Sequence, residues 1–134
     1  MGDLTGVCVV GRLQMPLPTG DTPPTILRRT TSDRITGFTI SGFGANGIFA
    51  FATDKLRIDH NSLSGNGEYG AFSNTSVRTR LDHNVATGNK GEARLYVGDS
   101  PRAHAVVTRN KVINNHGFRI FLRDVLHGDH CRSA

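Results

Sequence analysis

Residues 59–61 read Asp59-His60-Asn61, and the same tripeptide returns as Asp82-His83-Asn84 after an interval of 23 residues. Apolar residues and glycines recur at the same interval on both sides of it: Ile35, Ile58 and Leu81; Ile40, Leu63 and Ala86; Gly42, Gly65 and Gly88. A fourth, looser copy contributes Val107, Asn110 and Val112. Self-similarity with a period in the twenties indicates a solenoid, in which each repeat is one coil that buries its apolar face against neighbouring coils.

Within each repeat the hydrophobic pattern is that of a β-strand. Apolar and polar residues alternate over 35–40 and 56–59, and no stretch of about ten residues shows the helical period. Glycine-rich clusters follow, and two of them fit G-x-G-x-x-G, beginning at Gly42 and Gly65. A dinucleotide site needs a helix after such glycines, whereas strand-like segments follow here. We therefore interpret the clusters as corners of an all-β coil and expect essentially no helix.

The 134 residues are expected to form one domain over 1–134, whether the chain is a whole protein or a fragment. Residues 6–11 read as a short buried strand, and 12–25 hold four of the five prolines, so 1–30 is expected to be an irregular first coil. Regular coils are expected from Ile26 onward. Cys8 and Cys131 would stand about four coils, or roughly 20 Å, apart, so we expect no disulfide between them.

Charge and composition limit the classes of partner. The net charge of +5 favours acidic partners, although the arginines are scattered and could simply form a solvated basic surface. Tryptophan is absent and no RNA-binding aromatic motif occurs, so no nucleic-acid partner is predicted. No apolar run approaches the roughly 18 residues of a membrane span, so no membrane partner is predicted. The first residues lack the basic-then-apolar order of a signal peptide, which leaves the native compartment open.

The repeat unit resembles that of the right-handed parallel β-helix proteins, the pectate-lyase-like superfamily. The family pattern of aliphatic, asparagine and glycine positions is matched by Ile58, Asn61, Leu63, Gly65, Asn66 and Gly70, and again by Leu81, Asn84, Ala86, Gly88 and Asn89. The segments 67–70 and 95–101 resemble actinobacterial proteins with this repeat. The resemblance implies a right-handed parallel β-helix of about five coils of about 23 residues, with three sheets per coil. It also implies an extracellular, carbohydrate-associated protein.

The repeated tripeptide supplies the candidate catalytic residues, which are Asp59, Asp82, His60 and His83. If Ile58 and Leu81 face inward, the aspartates face outward and stack about 5 Å apart, a separation that suits the carboxyl pair of a retaining glycosidase. Two like charges so close would raise one pKa, as a general acid requires. The alternative is a ladder of Arg–Asp ion pairs that balances the stacked charges, and we favour it.

Further residues are candidates for ligand binding. Three arginines are expected beside the aspartates or one coil further on, namely Arg57, Arg80 and Arg109. Glu92 and Asp99 lie in the longest insertion between repeats and could form a binding loop. No cofactor or metal site is predicted from spacing, although the resemblance implies Ca²⁺ as the ion that a carboxylate ladder could hold.

We therefore expect a carbohydrate-associated β-helix module that binds glycans or has a structural role, without evident catalysis. The alternative function is a polysaccharide lyase, hydrolase or epimerase that acts on an acidic glycan through the stacked Asp, His and Arg side chains. The expected partners are an acidic polysaccharide and, through uncapped end coils, a second copy of the chain in an end-to-end oligomer.

Overall fold

The computed structural model describes residues 4–98, 104–114, 117–122 and 130–132. These residues contain strands and turns but no helix, so no described helix is long and apolar enough to cross a membrane. The strands are β1 (Val7–Val10), β2 (Arg12–Leu13), β3 (Ile26–Arg28), β4 (Thr30–Thr31), β5 (Arg34–Thr36), β6 (Thr39–Ser41), β7 (Ile48–Phe51), β8 (Thr53–Asp54), β9 (Arg57–Asp59), β10 (Ser62–Ser64), β11 (Ala71–Asn74), β12 (Arg80–Asp82), β13 (Val85–Thr87), β14 (Ala93–Gly98), β15 (Val106–Thr108), β16 (Lys111–Ile113), β17 (Phe118–Leu122) and β18 (His130–Arg132).

Three parallel sheets run along the solenoid axis, and each coil adds one strand to each of them. Sheet 1 has the order β5-β9-β12-β15-β18, sheet 2 the order β6-β10-β13-β16, and sheet 3 the order β1-β7-β11-β14-β17. Strands β4 and β8 form a further parallel pair, and β2 and β3 form an antiparallel pair. The all-β parallel solenoid is thus confirmed. The four strands of sheet 2 correspond to about four turns, one fewer than expected.

The strand register reproduces the alignment made from the sequence. Sheet 1 pairs Ile35, Ile58, Leu81 and Val107 in successive coils. Sheet 2 likewise pairs Ile40, Leu63, Ala86 and Val112. Most of these side chains are fully buried, and they pack against Ile48, Ala71 and Leu95 of sheet 3 in one continuous core. Each buried aliphatic side chain contributes about 1.5–3 kcal/mol, which makes the stacked interior the main source of stability.

Asparagines form a hydrogen-bonded ladder at the corner between sheets 1 and 2. Asn84 Nδ2 donates to Ile58 O at 2.9 Å and to Asn110 Oδ1 at 3.0 Å. Asn84 Oδ1 in turn accepts hydrogen bonds at 3.1 Å from both the backbone N–H and Nδ2 of Asn61. A buried amide can only be tolerated when its donors and acceptor are paired, and the ladder meets that requirement between coils. The asparagines of the tripeptide are therefore structural.

The glycine clusters are corners, as expected. In the second cluster a Cβ at Gly67 would lie 1.9 Å from Gly44 O, so the chain of one coil passes directly over the next. Strands β7 and β11, not helices, follow the two clusters. The G-x-G-x-x-G spacing is thus explained by close backbone approach between coils and not by a nucleotide.

The first part of the chain differs from the expectation in two respects. Residues 6–11 do contain a strand, β1, but it is the edge of sheet 3, so Cys8 and Val10 are exposed and the strand is only half buried. Regular coils do not begin at Ile26, because β3 pairs antiparallel with β2 on either side of the proline-rich segment. After the proline-rich segment, parallel stacking against the following coil resumes at Thr30. Cys8 carries a free thiol, and the side chain of Cys131 lies outside the described residues.

Candidate functional site

The outer face of sheet 1 carries the candidate residues in three parallel rows. Because the apolar row faces inward, the residues on either side of it face outward. One row pairs Arg34, Arg57 and Arg80, and the second pairs Thr36, Asp59, Asp82 and Thr108. The third row lies at the following corner and contains His60, His83 and Arg109, with backbone φ of 56°, 52° and 51°. We call these arginines, aspartates and histidines together the Arg–Asp–His face.

Asp59 lies at the centre of this face and is fully buried beneath its cationic neighbours. Arg34 Nε donates to Oδ1 at 2.9 Å and Arg34 Nη2 donates to Oδ2 at 2.7 Å, while His60 Nδ1 lies 2.8 Å from Oδ2. Arg57 Nε is 3.2 Å from Oδ1, an ion pair without hydrogen-bond alignment. The hydrogen bonds from Arg34 hold the pKa of Asp59 well below its ordinary value despite burial, and His60 and Arg57 act in the same direction.

Asp82 stands one coil further on and is less tightly held. Thr108 Oγ1 donates to Oδ1 at 2.7 Å, His83 Nδ1 lies 3.2 Å from Oδ2, and Arg80 Nη2 is 3.5 Å from Oδ2. Burial raises the pKa of Asp82, but the hydrogen bond from Thr108 and the close contact with His83, with the charges of His83 and Arg109, outweigh it. The net effect is a pKa below the ordinary value.

Neither carboxyl therefore has the raised pKa expected for a general acid, and that expectation is wrong for both Asp59 and Asp82. Stacked like charges would raise one pKa if the two groups faced only each other. Here Arg34 and Arg57 are beside the first carboxylate and Thr108 donates to the second, so both remain ionised at neutral pH. The geometry matches the ladder of ion pairs, with the carboxylates covered and the cations outside.

His60 and His83 form a stacked pair on top of the carboxylates. Their rings are 4.8 Å apart at an interplanar angle of 10°, and each turns Nδ1 toward the aspartate that precedes it. An ionised carboxylate only accepts hydrogen bonds, so Nδ1 of His60 carries the proton and its Nε2 is the free ring nitrogen. The His60 side chain is 56% exposed.

Arg34 is the principal residue of the face that sequence reasoning missed. It precedes Arg57 by the same 23-residue interval that separates Arg57 from Arg80, which was the available signal. The first coil has Thr36 where the later coils have aspartate, so the repeated tripeptide did not lead to it. Arg34 consequently reaches forward into the next coil to pair with Asp59.

Glu92, the candidate from the insertion that the structure describes, is not brought to this face. Glu92 is exposed just before β14 and lies near Tyr69, whose pKa is raised by burial and further by the charges of Glu92 and Glu68. No hydrogen bond or ion pair within the described residues links Glu92 to the Arg–Asp–His face. Asp99 lies outside the described residues. The described part of the chain also contains no group of three or more His, Cys, Asp or Glu arranged to hold a metal ion.

Sheet 3 carries a second row of outward-facing side chains, which sequence reasoning did not identify. Phe49, Phe72, Tyr96 and Phe121 pair in register, and their rings stack with centroid distances of 5.6, 4.5 and 5.6 Å. Because each ring face covers the next, only ring edges remain for a ligand. Near the first ring, the proline-rich segment and β2 enclose an apolar cleft of about 330 Å³. The aromatic row is thus mainly a packing feature.

Comparisons with known proteins agree with this architecture. A family described as a right-handed β-helix region matches residues 25–132, which is most of the chain. Searches of curated proteins and of solved structures found no match. The matched range includes the Arg–Asp–His face and excludes β1 and most of the proline-rich segment. The chain therefore belongs to the right-handed β-helix family.

Proposed function

We propose that the protein is a carbohydrate-binding β-helix module that holds an acidic polysaccharide along the Arg–Asp–His face. The observation that carries the proposal is the surplus of exposed cations over buried carboxylates. The side chains of Arg34, Arg57 and Arg80 are 51%, 40% and 44% exposed, whereas those of Asp59 and Asp82 are 0% and 3% exposed. A ligand approaching this face meets guanidinium and imidazole groups, with the negative charge beneath them.

The spacing of the cations suits a polymer better than a small molecule. Successive arginines are one strand apart, about 4.8 Å, along the solenoid axis. An extended chain with an anionic group on each sugar can contact several of them at once, so weak single contacts add together. The face extends over three or more consecutive strands of sheet 1, which favours a chain lying across the surface over an enclosed substrate.

The carboxylates have a positioning role in this proposal. A free arginine side chain loses conformational entropy when it binds, and a guanidinium that is already fixed loses less. Asp59 fixes Arg34 through two hydrogen bonds and lies 3.2 Å from Arg57. Arg57 Nε has no hydrogen-bond partner among the described residues and is buried, so the rest of its guanidinium is the part that a ligand would engage.

Binding to uronic-acid polymers, measured by calorimetry with and without Ca²⁺, tests the proposal. Each of the variants Arg57→Gln and Arg80→Gln should bind about five- to tenfold more weakly, and added salt should weaken binding by the wild type. Arg119→Gln is the matched control, because Arg119 is exposed on β17 of sheet 3 and its loss removes the same charge. Absence of binding to every anionic polymer, or equal losses in all three variants, would refute the proposal.

A second candidate function is favoured by one observation, the hydrogen-bonded Asp59–His60 pair. A carboxylate that fixes Nδ1 leaves Nε2 as a proton acceptor, the arrangement that lyases, hydrolases or epimerases could use on an acidic glycan. The test is product formation from the polymers that bind. Turnover that is lost in His60→Gln, while binding is retained, would establish catalysis, whereas binding without product in the wild type excludes it for the polymers used.

A further inference from the structure

The first part of the chain contains a basic cleft that is separate from the Arg–Asp–His face. It is lined by Val10, Gly11, Arg12, Arg28, Arg29, Thr30 and Thr31 and has a volume of about 430 Å³. Its walls are the antiparallel pair of β2 and β3 together with β4. Three arginines line this concave surface, and no acidic side chain among the described residues does.

Arg12 and Arg28 are partners in the antiparallel pair, whose register shifts between Arg12 and Leu13. Side chains at such positions share a face and are about 5 Å apart at Cβ, and like charges there are destabilising. Both side chains are exposed, and neither has an ion pair or hydrogen bond within the described residues. The repulsion between the two guanidiniums therefore destabilises the free protein. An anion bound between them would replace this repulsion by attraction to both.

The rest of the cleft is held rigidly. Arg29 Nη1 donates to the carbonyl oxygens of Thr53 and Thr75 in the next two coils, which ties β4 to the solenoid. Gly11 lets the backbone of Arg28 approach closely, since a Cβ at Gly11 would lie 2.6 Å from Arg28 O. Arg12 and Arg28 thus stand on a backbone that is held in place by neighbouring strands.

Thr30 adds a further observation that points to a ligand. Thr30 lines the cleft, and its hydroxyl is buried without a hydrogen-bond partner among the described residues. Buried hydroxyls normally have a partner, and one that lacks it needs an explanation.

We infer that this cleft binds a phosphate or sulfate group between the guanidiniums of Arg12 and Arg28. Arginine suits tetrahedral oxyanions because its planar fork donates two hydrogen bonds to adjacent oxygens. The volume of about 430 Å³ exceeds what a single such anion needs, which leaves room for a small carrier such as a sugar. The inference is independent of the proposed polymer site, because the two sites share no residue.

Thermal unfolding at constant ionic strength tests the inference, with inorganic phosphate or sulfate replacing chloride. The wild type should gain stability that grows with the logarithm of the anion concentration, and acetate should stabilise it less. In Arg12→Gln and Arg28→Gln the apparent affinity should fall about tenfold or more. Without phosphate or sulfate the same variants should unfold at the wild-type temperature or above it, because the repulsion is relieved.

Two controls separate this site from the rest of the molecule. Arg119→Gln removes the same charge from exposed β17 and should keep the full response to phosphate. Arg57→Gln and Arg80→Gln should also keep it, while Arg12→Gln should still bind an acidic polymer if the polymer site exists. The inference is overturned if phosphate and sulfate stabilise the wild type no more than chloride does. It is equally overturned if Arg119→Gln loses as much of the response as Arg12→Gln.

Discussion

Replacing Asp59 by Asn distinguishes an ion-pair ladder from a strained catalytic pair by the sign of the stability change. In a ladder, removal of the charge leaves Arg34 and Arg57 without their shared partner, so the variant is less stable. In a catalytic pair dominated by repulsion between Asp59 and Asp82, the same change relieves strain and stabilises the fold. The contacts in the structure predict destabilisation.

The size of the effect follows from burial. Breaking a buried ion pair costs about 3–5 kcal/mol, whereas exposed pairs are worth about 0–1 kcal/mol. The carboxylate of Asp59 is fully buried but its arginine partners are half exposed, so we expect a loss of about 2 kcal/mol. Asp82→Asn should lose less, about 1 kcal/mol, because the nearest arginine nitrogen is 3.5 Å from Asp82.

Urea unfolding followed by circular dichroism at pH 7 measures these differences, with Asp33→Asn as the control. Asp33 is exposed and its side chain has no ion pair within the described residues, so that variant should match the wild type. A pH series adds an independent check. The pKa of Asp59 is lower in the folded chain than its value of about 3.9 in the unfolded chain. The unfolded chain therefore binds more protons in acid, and stability declines as pH falls below about 4.

The difference between wild type and Asp59→Asn should thus be largest near neutral pH and shrink in acid. Equal or greater stability of Asp59→Asn at pH 7 would refute the ion-pair interpretation. The ion-pair interpretation would also be refuted if Asp82→Asn lost more stability than Asp59→Asn, because Asp59 has the closer cationic partners.

Two further predictions concern the corners, and urea unfolding tests both. Asn84→Ala removes hydrogen bonds that pair buried groups in both neighbouring coils, so it should cost about 3 kcal/mol or more of stability. Asn110→Ala changes a half-buried site and should cost about 1–2 kcal/mol. Equal losses would show that the ladder adds nothing beyond single contacts. Gly67→Ala should cost about 3 kcal/mol or more, because its Cβ would lie 1.9 Å from Gly44 O. Gly65→Ala, at φ of 62° with open space around Cβ, should cost only about 1 kcal/mol, so a larger loss there would contradict the packing described.

The sequence predicted the fold well where residues repeat at a constant interval. Asn61 and Asn84 are 23 residues apart and occupy identical positions in successive coils, so their hydrogen bonding followed from the repeat alone. The aromatic row was harder to find because its spacing changes. Phe49 and Phe72 are 23 residues apart, but Tyr96 and Phe121 follow at intervals of 24 and 25. The corners absorb these extra residues while the strands stay in register.

The candidate site was predicted in position but not in its electrostatics. The stacking of Asp59 and Asp82 follows from their common phase, whereas the direction of a pKa shift depends on which cations come within hydrogen-bond distance. The two hydrogen bonds from Arg34 come from the preceding coil and depend on its side-chain conformation, which the repeat does not specify. The pairing of β2 with β3 was also unpredictable, because the proline-rich segment has no counterpart in the other coils.

The 23-residue interval between Arg34, Arg57 and Arg80 means that the length of the solenoid can change while its cross-section stays the same. Removing residues 58–80 would join Arg57 to Leu81 and place Asp82 opposite Thr36, so Arg34 would again face a carboxylate in the next coil. Every inward row would be one residue shorter but otherwise unbroken. A gene for such a chain can lengthen or shorten by whole coils through duplication or deletion, and the number of cations along sheet 1 changes with it. The length of the basic surface along the solenoid axis can therefore change without a new fold.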